Sequence, residues 1–183
     1  MATPSKSKVF EDWMEWLNRR GLDWGEPCCW ACGRHWGEKY CIDNPQASRE
    51  EIIDNWNNVP LQICHIIPRQ FGGEDDPINL FLMCSDCHDK APNTRSREAF
   101  LEWVEKQDYY ADLGERLERE LKNFGLDARL EEVNAIMVDE QLKKELLRSV
   151  GLHMNQARGG SQITLSSIVA VLAEKLNSKL TEY

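Results

Sequence analysis

No stretch of this 183-residue chain approaches the roughly eighteen consecutive apolar residues that a membrane-spanning helix needs, so no membrane partner is expected. The opening run, MATPSKSKVFEDW, reaches charged residues too early to hold the apolar region of a secretory leader, and a cytoplasmic protein is expected. Positive charge is also scarce. Against 31 Asp and Glu there are only 22 Lys and Arg, a formal net charge of -9. That balance argues against a generic nucleic-acid-coating protein, which would be basic. It does not exclude an enzyme that holds an anion through a metal ion and a few local cations. Internal repeats and low-complexity segments are absent too, which removes solenoid arrays and compositionally disordered tracts from consideration.

What is present is an ordinary soluble composition, 42% hydrophobic and 29% charged, enough at this length for one modest domain with an extension or for two small ones. Seven tryptophans are more than such a chain normally carries, and core positions are the expected place for them. Seven cysteines is an odd number, and all lie between residues 28 and 87. In a reducing compartment such clustering points to metal rather than to disulfides. Cys29-x-x-Cys32 and Cys84-x-x-Cys87 are two knuckles whose paired sulfurs can reach one ion, and four thiolates make a closed tetrahedral structural zinc site. Cys28 could compete with Cys29 as a ligand but lacks the two-residue spacing, and His35 and Cys41 are spare candidates, expected to be packed or mobile instead.

Val9, Phe10, Trp13, Trp16 and Leu17 recur at helical spacing, with Gly21 where a cap would sit, which predicts an N-terminal amphipathic helix over 9–20. Residues 22–46 read as an irregular, metal-organised segment, and Ser48 with Glu51 opens a short helix through about Trp56. Apolar runs at 61–67 and 79–83, separated by PRQFGGEDDP, predict two short strands joined by a structured loop. Ser85 is expected to cap a short helix carrying His88, and a further helix is expected over 96–107. From Tyr109 onward the periodicity is that of helices alone, ending in a stripe of Leu165, Ile168, Val169, Leu172 and Leu176. The predicted class is therefore α+β, mostly α. Residues 1–108 would form a metal-centred domain with its N-terminal helix, and residues 109–183 an α-helical extension for assembly or partner binding.

Within the metal-centred half, the stretch CHIIPRQFGGEDDPINLFLMCSDCH sets His65 on one strand and His88 on a helix beside the zinc knuckle. Phosphodiester hydrolysis needs a base for water and a Lewis acid for the charge developing on phosphate. His65 can supply the first and His88 can hold the second, with Asn79 bonding across the loop to keep the His65 segment in place. Arg69, Arg95 and Arg97 are candidates for phosphate contact, and Asp75 and Asp76 are expected to decorate the turn or approach the metal.

The order and nearly all the spacings in this stretch resemble the HNH endonuclease family, over about residues 29–92. The resemblance implies a zinc-stapled ββα-metal (His-Me) core and hydrolysis of phosphodiester bonds in DNA. It makes His65 the general base, Asn79 the structural asparagine and His88 a ligand of a catalytic divalent cation, Mg²⁺ or Mn²⁺. Structural zinc on Cys29, Cys32, Cys84 and Cys87 is implied as well. Cys64 departs from the pattern, standing where many members place a metal-ligating Asp or His. A thiolate there suits Mg²⁺ poorly, so either the preference moves toward Mn²⁺, Ni²⁺ or Zn²⁺, or His88 carries the ion with fewer protein ligands. The competing readings are a catalytically inactive zinc module that binds nucleic acid or protein, favoured by Cys64, and a regulatory subunit of a larger assembly. A homodimer or a protein partner through the helical half completes the expectations.

Overall fold

The computed structural model describes residues 3–155 and 160–178. The chain divides into two compact units, Met1–Tyr110 and Ala111–Tyr183.

The first unit opens with α1 (Lys6–Arg19). Ser5 caps it by accepting from the Lys8 amide, and Val9, Phe10, Trp13, Met14 and Leu17 form its buried face. Its C-terminus closes with the Leu22 amide donating to Leu17 O and the Gly21 amide to Asn18 O. Gly21 takes a φ of 68°, a left-handed turn that a side chain would oppose. After an irregular segment, α2 (Arg49–Asn55) starts at Ser48, whose hydroxyl accepts from the Glu51 amide. Strands β1 (Gln62–His65) and β2 (Leu80–Met83) pair antiparallel, with His65 opposite Leu80 and Cys64 opposite Phe81. Every residue of β2 is buried, as expected of a strand running beneath the other elements. The chain continues into α3 (Ser85–Lys90) and α4 (Arg97–Glu105). The cap of α3 is Cys84, whose sulfur accepts from the Cys87 amide, and not Ser85 as expected; one residue both ends β2 and opens the helix.

Aromatic rings fill the interior. Phe10 stacks on Trp56 at 4.5 Å, and Phe81 meets Trp13, Trp30 and Phe100 edge to face at 5.2–5.5 Å between centroids. Edge-to-face pairs add attraction between ring edge and ring face to the area they bury. Trp13, Trp30 and Trp56 are buried, the core role expected of them.

The second unit follows within α5 (Tyr109–Asn123) and contains α6 (Leu130–Val138), α7 (Glu140–Ser149) and α8 (Leu165–Ser178). Leu121, Leu126, Ile136, Leu146, Val169, Leu172, Ala173 and Leu176 make its core. Helices alone were expected here, yet β3 (His153–Asn155) and β4 (Gly160–Gln162) pair antiparallel between α7 and α8. These strands are three residues long and lack apolar alternation, so no periodic signal announces them. Leu117, Phe124, Leu130, Met137 and Leu147 are exposed. Among the described residues no helix is long and apolar enough to cross a membrane.

Candidate active site

Four sulfurs anchor the site. The Sγ atoms of Cys29, Cys32, Cys84 and Cys87 all lie within 4.8 Å of one another, and Cys32 to Cys84 is 4.0 Å. A tetrahedron with zinc–sulfur bonds of about 2.3 Å has edges of about 3.8 Å, so this set fits a closed structural zinc after a small contraction. Amides support the cluster: Cys84 N–H donates to the Cys29 sulfur at 3.2 Å and Cys87 N–H to the Cys84 sulfur at 3.4 Å. Trp30, between the first two ligands, donates its amide to Leu82 O, tying the first knuckle to β2. Hydrogen bonding among the sulfurs pushes Cys29, through Cys32, and Cys84, through Cys29, downward, and pushes Cys32 and Cys87 upward. Thiols that share protons this way lose them on meeting a cation. Cys28 is outside this cluster, fully buried with its thiol pushed up to about 12 by desolvation, and its backbone bridges to His35. Cys41 is half-exposed, its thiol against Gly37 O.

The cysteine cluster sits where β2 turns into α3, and α3 carries His88. His88 and, from β1, His65 and Cys64 line a single pocket of about 530 Å³, bordered by Pro68, Arg69 and residues 91–93. Both histidines are half-buried. Cys64 is buried, and burial pushes its thiol up to about 11.

Asn79 does not touch the pocket. It is buried at the foot of β2, where its carboxamide clamps the loop: the oxygen accepts from Ile67 N–H, and the nitrogen donates to Ile67 O and Glu74 O, all at 3.0 Å. Its own backbone carbonyl accepts from Ile66 N–H at 2.8 Å. The clamp closes only because position 73 has no side chain. A Cβ on Gly73 would stand 1.7 Å from Ile67 O and 2.9 Å from the Asn79 Nδ2. The Gly-Gly pair is thus a steric requirement of the amide bridge, and Gly72, with a φ of 88°, supplies the left-handed turn before it.

Asp75, which sequence reasoning placed in the turn or near a metal, faces His65. Its Oδ1 lies 2.8 Å from His65 Nε2. An ionised carboxylate only accepts, so Nε2 carries the hydrogen of this bond. Arg69 grips the same carboxylate, from Nε to Oδ1 at 3.1 Å and from Nη2 to Oδ1 at 2.7 Å and Oδ2 at 2.5 Å. The guanidinium foremost, and then the imidazole, hold the Asp75 carboxyl down at about 2. The only sequence hint of this pairing is an acidic residue in the loop after the histidine, a pattern turns share. Of the other candidates, Asp76 caps the turn at Ile78 N–H, Arg95 lies over Phe71, and Arg97 lies over Trp13 and donates to Ile78 O at 2.7 Å.

Residues 29–94, a little over a third of the chain, match the model of the HNH endonuclease family, which assigns that segment to a nuclease family. No curated protein and no solved structure matches the chain.

Proposed function

We propose that this protein is a metal-dependent HNH endonuclease that hydrolyses phosphodiester bonds in DNA. The observation that carries the reading is the shared pocket: an imidazole from β1 and one from α3 open into the same cavity, beside a cysteine cluster that fixes the second element. His65 takes the proton of the attacking water. The hydrogen on Nε2 leaves Nδ1 of the neutral ring as the lone pair available for that step. His88 holds the divalent ion, which when bound supplies positive charge to the phosphate oxygens as negative charge develops on them. An imidazole suits Ni²⁺ or Zn²⁺ better than Mg²⁺ or Mn²⁺, which prefer oxygen ligands, and the pocket has room for a hydrated ion and a phosphate group. Asn79 acts at one remove, fixing the loop between the strands. Zinc on the four cysteines stabilises the frame and takes no part in the chemistry.

Plasmid nicking or linearisation with a panel of divalent ions tests the reading. Wild type cuts with added Mn²⁺ or Mg²⁺, and His65→Ala loses cutting while keeping its zinc and its fold. Unimpaired cutting by His65→Ala would remove the mechanism. One observation favours a second reading: Cys64, a buried thiol that desolvation pushes up, stands in the pocket where a carboxylate would help to hold the ion. Under that reading the domain is a zinc-stabilised binding module, and no divalent ion elicits cleavage while DNA binding survives His65→Ala. The second unit is proposed to serve assembly, as a homodimer or with a protein partner, which light scattering of the purified chain addresses directly.

A further inference from the structure

We infer that Asp75 is the positioning residue of His65, locked in place by Arg69 on one side and by the Asn79 clamp on the other. The inference rests on the reading of His65 as the general base and deepens it.

An Arg–Asp pair on a loop is usually a surface ion pair of little consequence. Three features set this one apart. The Asp75 side chain is only 16% exposed whereas its arginine partner is 62% exposed, so the carboxylate is turned inward and the guanidinium lies over it. Oδ1 is shared, accepting from His65 Nε2 and from Arg69 Nε and Nη2, so the oxygen that meets the imidazole is the one the arginine fixes from two of its nitrogens. The backbone on both sides of Asp75 is pinned as well. Glu74 O accepts from the Asn79 amide, and the Asp76 carboxylate accepts from Ile78 N–H, so the loop holds the carboxylate before any substrate arrives.

The consequence is chemical. A neutral imidazole has two tautomers of similar energy, and only the one with hydrogen on Nε2 offers Nδ1 as a base. An acceptor held at 2.8 Å from Nε2 selects that tautomer. When Nδ1 takes the proton from water, the ring becomes a cation next to a carboxylate already in place, with no reorganisation of the loop. Asp75 itself neither gains nor loses a proton in this step.

Nitrogen-15 NMR of the histidine rings in the full zinc-loaded chain, at about pH 8, reads the tautomer without any need for activity. The His65 signals are assigned by their loss in His65→Ala. Wild type shows the Nε2–H form; Asp75→Ala shows a mixture of tautomers; Asp75→Asn, whose amide oxygen still accepts, recovers the wild-type form. In the plasmid assay kcat of Asp75→Ala falls about tenfold to a hundredfold with KM unchanged, the range typical when the hydrogen-bond partner of a metal-bound histidine is removed, and Asp75→Asn recovers part of it. Zinc content and a thermal melt accompany each variant, and Asp75→Leu, similar in size but with no acceptor, takes the place of the alanine variant if that one loses zinc. A wild-type tautomer or a wild-type kcat in the variant without an acceptor overturns the inference. The two readings fail separately: active His65→Ala removes the base and leaves the ring spectra as evidence on Asp75, whereas an unaltered Asp75→Ala removes the positioning role and leaves the loss of cutting in His65→Ala standing.

Discussion

Asn79 offers the sharpest test of how the loop is built. Asn79→Ala deletes three hydrogen bonds of 3.0 Å, one accepted from Ile67 N–H and two donated to Ile67 O and Glu74 O, at a side chain that is 9% exposed. A typical intramolecular hydrogen bond contributes about 1 kcal/mol net, so the loss is about 3 kcal/mol, and more if the Ile67 groups stay dry. For a unit of this size each kcal/mol is worth about 4 °C, which places the melting point of the alanine variant about 12 °C below wild type. Asn79→Asp is nearly isosteric and separates hydrogen bonding from packing. It puts an oxygen where Nδ2 now stands, 3.0 Å from two carbonyl oxygens, so at neutral pH it costs at least as much as alanine. Calorimetry gives the melting points, and hydrogen exchange at the Ile67 amide reports the clamp locally, accelerating in both variants. An Asn79→Asp protein as stable as wild type, with a protected Ile67 amide, would show that the carboxamide is not what closes the loop.

Gly73→Ala must move backbone, since the added Cβ would lie 1.7 Å from Ile67 O, and it destabilises by about 3 kcal/mol or prevents folding; Gly114→Ala, inside α5 with nothing within 4 Å, raises stability by about 1 kcal/mol, and denaturant melts of the pair check both signs. Purified protein carries one zinc per chain by metal analysis, and Cys84→Ser, which removes a ligand but leaves a hydroxyl able to cap α3, loses the metal together with the cooperative tryptophan-monitored melt. The depressed Asp75 carboxyl gives a pH signature: its folded value of about 2 lies below the ordinary 3.8, so the stability it contributes is present above about pH 4 and is lost as pH falls toward 2. The melting-point difference between wild type and Asp75→Asn therefore shrinks across that window, and a difference constant from pH 5 to pH 2 would contradict the assignment.

Short-range chemistry is legible in the chain itself. Ser48 and Ser96 cap their helices because a hydroxyl just before an apolar-periodic run has only its own first turn to bond, and both accept the amide three residues on. The two CxxC pairs announce a shared ion because each spacing brings its own two sulfurs together; chain folding had only to add the pairs. The antiparallel strands, the Gly-Gly loop and the buried tryptophans follow from equally local patterns. Where two roles compete for one residue, sequence reasoning slips by a position, as at the Cys84 cap, or misses, as at the hairpin 153–162, whose strands are too short to show a period.

By itself, then, the sequence determined the helices and strands of the first unit, the sulfur cluster and the presence of a histidine on each side of a loop, because all of these are written in contacts over a few residues or in ligand types that tolerate few substitutes. Only the tertiary structure decided that Asp75 meets His65 Nε2 while Arg69 holds it, that Asn79 clamps Ile67 and Glu74, and that Cys64 is buried. Carboxylates, amides and thiols of these kinds occur on any surface. What gives them a role is an approach of a few tenths of an ångström, set by where a strand pair and a side-chain-free glycine let the backbone close.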